Sequence, residues 1–358
     1  MNDHLKLFLI RENISIKEAM RRMSQAAEKI LLVVDPQDRL LGSLTDGDIR
    51  RSILKANDLS IEISGAYNHH PLYVREDYDL NDVKQMMLKN KIEWIPVVNE
   101  RHEVCDILLW AGVFGQDQRP HREKIGIPVL IMAGGKGSRL DPFTRILPKP
   151  LIPIGEKAII EVIMDKFYHY GVDEFYVTLN HKSRMIKAYF DEINTAYRIH
   201  YVEEDQPLGT AGALTFIRDK IKDHVLVSNC DIIIENDYLE IVKFHLTQDY
   251  DMTIVGSFRH FTIPYGICTI ENGGRLKDIK EKPEYDFLVN TGMYILKKET
   301  IDLIPKKTFF NITDLVQRIL EREGRIGVFP IDEKSWIDIG QWEELQKSLR
   351  DLKLDHIG

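Results

Sequence analysis

The chain reads as an α/β protein in two parts, a duplicated strand-and-helix module followed by a largely parallel sheet with helices on both faces. Three observations predict this. The first third matches itself at an offset of 64 residues, with Ile30–Val34 (ILLVV) falling on Trp94–Val98 (WIPVV) and Ile16 on Leu80 without a gap. From Val129 onward, short apolar runs alternate with segments that carry a helical stripe. Where that second part begins, the apolar run Val129–Met132 opens directly into a turn with glycines at 134, 135 and 137, as a strand does when it ends at a ligand loop.

In each copy of the repeat an extended segment (Leu7–Ile10; Leu72–Val74) precedes an amphipathic helix (about Ile16–Ala27; Leu80–Asn90). Two strands follow, ILLVV with LLGSLT in the first copy and WIPVV with EVCDILL in the second. Within Leu41–Arg50 (LGSLTDGDIR), Gly42 lets the strand approach a ligand, the Thr45 hydroxyl can bond a phosphate, and the Asp48 carboxylate can accept two ribose hydroxyls. These features resemble a tandem pair of CBS domains, a family in which the Thr and Asp equivalents often hold an adenosine nucleotide. The offset turns Gly42 into Asp106, Thr45 into Leu109 and Asp48 into Gly112, so at most one such site is expected. The other reading of Thr45 and Asp48 is a cap for a helix beginning near Gly47. On either reading the resemblance implies a homo-oligomer, because such pairs commonly stack. Residues 115–127 (GQDQRPHREKIGI) are polar and aperiodic, as a linker is. The expected boundaries are 1–118 for the pair (copies about 1–62 and 63–118), 119–126 for the linker and 127–358 for the second domain.

The stretch Pro128–Gly155 (PVLIMAGGKGSRLDPFTRILPKPLIPIG) combines a turn rich in exposed backbone N–H groups with positive charge at Arg139 and Lys149. Pro142, Pro148 and Pro150 stiffen it and keep it from becoming a helix. It suits a polyphosphate, yet it is neither a GxxxxGK[ST] loop nor a GxGxxG fingerprint. The pattern AGGxGxRLxPxT…PKP resembles instead the nucleotidyltransferases that join a nucleoside triphosphate to a sugar 1-phosphate. Ser138 and Met132 stand where that family usually has Thr and Leu. The resemblance implies a Rossmann-like, mostly parallel α/β/α domain in which Ala133, Gly134, Gly135, Lys136, Gly137 and Ser138 bind the nucleotide, Arg139 meets the triphosphate and Lys149 stabilises charge between the reacting phosphates.

Further along, Glu156–Tyr170 carries a helical stripe ending at Gly171, and strands at Phe175–Leu179 and Ile199–Val202 flank a short helix at Arg184–Phe190. The loop that follows, Glu203–Gly212, resembles the family's EPLGTAG segment and leads into an expected helix from about Ala211 to Ile217. By that resemblance Glu204 faces the base edge, Gly209 lies against the ring where a side chain would clash, and Thr210 belongs to the same nucleotide site. A carboxylate suits guanine, which offers two adjacent donors; the alternative is a solvated loop acid. Val225–Asp231 (VLVSNCD) and Trp336–Gly340 (WIDIG) each deliver an acid after an apolar strand. The resemblance makes Asp231 and Asp338 the ligands of a catalytic Mg2+, with Cys230 replacing a usual glycine and Gln341-Trp342 a usual Thr-Pro. Between them, Gly266, Glu281, Lys282, Asn290 and Thr291 are implied to enclose the sugar phosphate.

Composition sets the outer limits. A formal charge of −8 argues against a general affinity for nucleic acid or an anionic membrane. No apolar run reaches the roughly 20 residues that span a bilayer, and nothing after Met1 resembles a signal peptide, so a cytoplasmic location is expected. Cys105, Cys230 and Cys268 are far apart and lack metal-ligand spacing. The expected reaction is Mg2+-dependent transfer of GMP from GTP to glucosamine 1-phosphate, as in a group of bacterial enzymes on the route to legionaminic acid that carry the same fusion, with possible regulation by a nucleotide at the CBS pair. Mannose 1-phosphate as acceptor, or uridylyl or thymidylyl transfer to a hexose 1-phosphate, is the nearer alternative. A nucleotide-sensing protein with a dead transferase domain is the alternative of another class.

Overall fold

The computed structural model describes residues 3–26, 28–56, 58–114, 123–135, 137 and 140–340, and the chain divides into two compact units, residues 1–122 and 123–358. The first unit opens on a one-turn helix, α1 (Asp3–Lys6). Its first copy is β1 (Leu9–Ile10), α2 (Ile16–Ala26), β2 (Ile30–Val34), β3 (Leu40–Thr45) and α3 (Asp46–Ala56); its second is β4 (Val74–Arg75), α4 (Leu80–Asn90), β5 (Trp94–Val98), β6 (Val104–Leu109) and α5 (Trp110–Phe114). Each copy forms a three-stranded sheet, with a short strand parallel to the middle one and the third antiparallel. The duplication reaches the irregularities: a register shift between Val33 and Val34 recurs between Val97 and Val98. In α2 the buried residues Ile16, Ala19, Met23 and Ala26 recur at helical spacing, which fixes the face laid on the sheet.

The Thr45–Asp48 pair closes on itself. Thr45 N and Oγ1 donate to Asp48 Oδ2 at 2.8 and 2.6 Å, and Asp48 N donates to Thr45 Oγ1 at 3.2 Å, a reciprocal cap on the start of α3. Arg51 also bonds Asp48. The space beside Gly42 is taken by the chain, not left for a ligand: a Cβ there would strike the Asn68 carbonyl and the Tyr67 ring. Asn68 bonds Ser43 in both directions, at 3.0 and 2.8 Å, so the glycine is explained by a crossing backbone.

The second unit is organised around β7 (Val129–Met132), which leads into a proline-rich loop with 3-10 turns at Phe143–Arg145 and Lys149–Leu151. A small hairpin, β8 (Pro153–Ile154) and β9 (Lys157–Ala158), delays the predicted helix, so α6 covers only Ile159–Tyr168. Then come β10 (Glu174–Leu179), α7 (Ser183–Glu192), β11 (Arg198–Glu203), β12 (His224–Asn229), β13 (Ile232–Ile234), α8 (Tyr238–Gln248) and β14 (Met252–Thr262). The hairpin β15 (Ile267–Ile270) and β16 (Leu276–Lys280), β17 (Glu284–Lys297), α9 (Ile312–Glu321), β18 (Ile326–Ile331) and β19 (Trp336–Asp338) complete it. The expected helix at 211–217 is a 3-10 segment, Gly212–Phe216, because the Ala211 and Gly212 amides both donate to the Phe310 carbonyl across the loop, at 2.9 and 3.2 Å.

Seven strands form the main sheet in the order β11-β10-β7-β12-β17-β14-β18, with only β17 antiparallel to its neighbours. Alternation along β7 sends Val129 and Ile131 into the core on one face and Leu130 into the core on the other, so both faces are covered by helices or turns. From β7 the chain first builds outward through β10 and β11, then returns to the far side of β7 with β12. Strand order therefore reverses at β7, and the crevice of such a sheet lies at the carboxyl ends of the strands on either side of that reversal.

Behind the sheet a buried histidine sets a pH limit. His245, on α8, has no exposed surface; its Nδ1 lies 2.8 Å from Thr253 Oγ1 and its Nε2 3.1 Å from His224 Nδ1. Burial, with smaller contributions from His224 and Lys297, lowers its pKa to about 4. The neutral ring is the native one, so its contribution is complete above the unfolded value of about 6.5 and is lost as pH falls toward 4. Denaturant unfolding of the second unit is expected to cost about 2 kcal/mol less at pH 5 than at pH 7.5 through this group alone. His245→Phe should flatten that slope; an unchanged slope would remove His245 as its cause.

Candidate active site

Four loops meet at the reversal point. Register places Met132 of β7 opposite Thr178 of β10 and Asn229 of β12, so the residues after each strand emerge side by side. Ala133 N donates to the Thr178 carbonyl and hydroxyl, both at 3.2 Å, which fixes the start of the glycine loop. Gly134 is then forced by its neighbour: a Cβ there would lie 2.9 Å from Glu204 Oε1. A Cβ on Gly137 would lie 2.9 Å from Lys149 Cβ, so the two ends of the loop pack on one another, while no described residue comes within 4 Å of a Cβ on Gly135. Lys182 stiffens the proline-rich part, its Nζ donating to the carbonyls of Thr144, Arg145 and Ile146 at 2.8–3.0 Å. Lys136, Ser138 and Arg139 lie outside the described residues, as do Gln341 and Trp342.

Glu204 follows β11 and is half-buried, not a freely solvated acid. Burial raises its carboxyl pKa, and bonds from the Leu208 amide and Thr178 oppose that shift. Its Oε2 accepts from Leu208 N at 3.0 Å, so one oxygen organises its own loop while the other sits over the glycine turn. Gly209 is required by the protein itself. Its φ is +75°, and a Cβ would stand 2.6 Å from the Phe310 carbonyl oxygen, which supplies the clash that a base ring was expected to supply. Thr210 Oγ1 accepts from Ile312 N at 2.9 Å and ties this loop to the start of α9.

The two acids meet. β13 pairs antiparallel with β19, bringing Ile232 opposite Asp338, and Ile339 N donates to the Asp231 carbonyl at 2.8 Å. Asp231 Oδ2 and Asp338 Oδ1 each lie 2.7 Å from the point where a Cβ on Gly340 would sit, and so at most twice that distance apart. Lys149 Nζ lies 3.0 Å from the same point and bonds Asp231 Oδ2 directly, with both side chains about nine-tenths buried. Gly340 N donates to Asp338 Oδ1 at 2.7 Å and orients that carboxylate. Cys230 is packed into the core, where burial pushes its thiol up to about 12 and leaves it a filler, not a nucleophile.

Above these acids opens a cavity of about 250 Å³, lined by Asn229, Asp231, Asn290, Thr291, Trp336 and Asp338 among others. Asn290 Nδ2 donates to the Tyr294 hydroxyl at 2.8 Å and its Oδ1 accepts from Gly292 N at 3.0 Å; the Thr291 hydroxyl donates to the Val255 carbonyl at 2.8 Å. Gly292, with φ +92°, leaves the space that the Asn229 side chain fills. Gly266 and Glu281 also face each other, a Cβ on Gly266 falling 2.9 Å from Glu281 Oε2, with Lys282 next to it in a left-handed turn. They belong to the β15–β16 hairpin region and do not line the cavity. Asn229, Trp336 and Lys182 escaped sequence reasoning. An asparagine at a strand end gave a weak signal for the first, and the others had none.

A sheet reversed at β7, a glycine loop on its carboxyl edge and paired acids beneath a polar cavity agree with the sequence match, in which residues 128–353 fit the family described as Nucleotidyl transferase. The chain belongs to that family. Residues 1–55 and 63–110 match the CBS domain, so the first unit is a tandem CBS pair ahead of a nucleotidyl transferase domain. Among its relatives are UTP--glucose-1-phosphate uridylyltransferase of Synechocystis (29% identical, covering 62% of this chain and 62% of the relative) and mannose-1-phosphate guanylyltransferase 1 of Arabidopsis thaliana (29% identical, 64% and 65%). The chain thus spans somewhat under two thirds of the length of these relatives. HddC from Yersinia pseudotuberculosis, solved also in complex with GMP-PN, superposes with a TM-score of 0.51 at 25–26% identity, over 63% of this chain and 99% of its own. No described helix of this chain is long and apolar enough to cross a membrane.

Proposed function

We propose that the second unit transfers a nucleotidyl group, in the first instance GMP from GTP, to a sugar 1-phosphate, glucosamine 1-phosphate being the leading acceptor, with release of pyrophosphate. The observation that carries this reading is the convergence of Asp231, Asp338 and Lys149 on the space beside Gly340, under a polar cavity at the strand reversal. Two hard carboxylate donors next to an open polar space fit Mg2+, which takes one or two carboxylates and completes its shell with phosphate oxygens and water. Bound there, Mg2+ would neutralise charge on the α-phosphate and the attacking phosphate.

The chain's own groups supply position and charge. A phosphate monoester loses its second proton near pH 6, so the attacking oxygen is already ionised and needs no general base. Lys149 stands beside the acids to meet the charge that builds between the two phosphates, and Arg139 is assigned by its loop position to the triphosphate. The glycine loop with Glu204 over Gly134 forms the nucleotide wall. Asn229, Asn290 and Trp336 form the wall on the acceptor side. Support for guanine comes from the Glu204 carboxylate and from relatives named as guanylyltransferases. Pyrophosphate release measured over four nucleoside triphosphates and several sugar 1-phosphates tests this: GTP with glucosamine 1-phosphate is expected to give the highest kcat/KM. A maximum with UTP or dTTP would move the base assignment, and silence in every pairing would leave a nucleotide-sensing protein.

A further inference from the structure

We propose that Lys149 is, among the described residues, the cation resident at the acidic site, and that a divalent ion enters by taking Asp231 Oδ2 from it. The Lys149 ammonium bonds that oxygen, and it lies 3.0 Å from the same point that Asp231 Oδ2 and Asp338 Oδ1 approach to 2.7 Å. Gly340 provides that point by lacking a side chain, so the ammonium and both carboxylates share one small space. Both members of the Lys149–Asp231 pair are almost fully buried, which makes an uncompensated carboxylate expensive there and a neutralising lysine effective. An ammonium and a divalent cation repel at this range in a poorly screened site.

Two consequences follow by linkage. Lys149 weakens metal binding to the nucleotide-free protein, and anything that draws its ammonium away strengthens it. On the transferase reading the phosphates of the bound nucleotide do this, so nucleotide and metal arrive as a coupled pair, and Asp231 keeps a counter-charge between turnovers. Lys149 thus both meets the phosphates and gates the ion. Gly340 is a positioning residue, its amide holding Asp338 and its missing Cβ keeping the space open.

The test uses the full chain without nucleotide and Mn2+ as the probe, with free Mn2+ read by electron paramagnetic resonance. Lys149→Gln is expected to bind Mn2+ about tenfold more tightly than wild type, within the usual range of coupling between sites, while Lys149→Arg, which keeps the charge, stays weak. Binding by Lys149→Gln that equals or falls below wild type overturns the proposal. A second measurement needs no variant and decides the matter where Lys149→Gln shows no cooperative melt. Amine acetylation followed by mass spectrometry is expected to label Lys149 several-fold faster when Mn2+ is added, relative to Lys157 in the same sample, and an unchanged ratio overturns the proposal. The transferase reading fails separately: a chain that shows the Mn2+ effect but releases no pyrophosphate keeps the gate and loses the reaction, and the reverse result loses the gate alone.

Discussion

Asp231→Asn is expected to slow nucleotidyl transfer by about a thousandfold, a loss of roughly 4 kcal/mol of transition-state stabilisation. The side chain keeps its shape but loses the charge that would hold the cation, and its carboxylate meets that of Asp338 beside Gly340. On the proposed reading the loss should fall on kcat more than on KM, because the glycine loop and the Glu204 segment, not Asp231, would hold the nucleotide. Thermal melting monitors the fold, since the buried Lys149 loses its partner in the same change. Pyrophosphate release within tenfold of wild type would take Asp231 out of the chemistry and with it the proposed metal site.

Gly209→Ala is expected to destabilise the second unit by about 2–4 kcal/mol, combining the cost of a left-handed alanine with overpacking. At φ +75° the new Cβ would be driven to 2.6 Å from the Phe310 carbonyl oxygen, a backbone atom that also accepts from the amides of Ala211 and Gly212. Neither can move without breaking the junction of the Glu204 loop with the start of α9, where Thr210 also bonds Ile312. For a unit of this size the melting transition should fall by about 5–12 °C. A variant with a wild-type melt and a raised KM for nucleotide would instead return Gly209 to the role of clearance for a base.

The contrast at Gly209 and Gly42 shows where sequence reasoning reaches its limit. Both glycines were legible as places of close approach, because only glycine lacks the atom that would collide. What approaches was not legible. In each case the partner is the chain itself, Phe310 and Asn68, brought there by contacts distant in sequence. Thr45 and Asp48 behave likewise: their spacing allowed a helix cap or a ligand pair, and the structure shows the reciprocal cap. The helix expected at 211–217 tightened into a 3-10 segment because amide groups at its start were claimed by a carbonyl from another loop.

The internal repeat and the apolar periodicity determined that this chain makes a duplicated module and then a mostly parallel sheet covered on both faces. Alternation of apolar side chains is a local property of strand and helix geometry and survives whatever they pack against. Local pattern likewise marked Asp231 and Asp338 as acids delivered at strand ends. That they meet, and that Lys149 bonds Asp231 beside them, was decided by the pairing of β13 with β19 and by the fold of the proline-rich loop. Strand register is set by the packing of the whole unit, and no residue near either aspartate encodes its distance from the other.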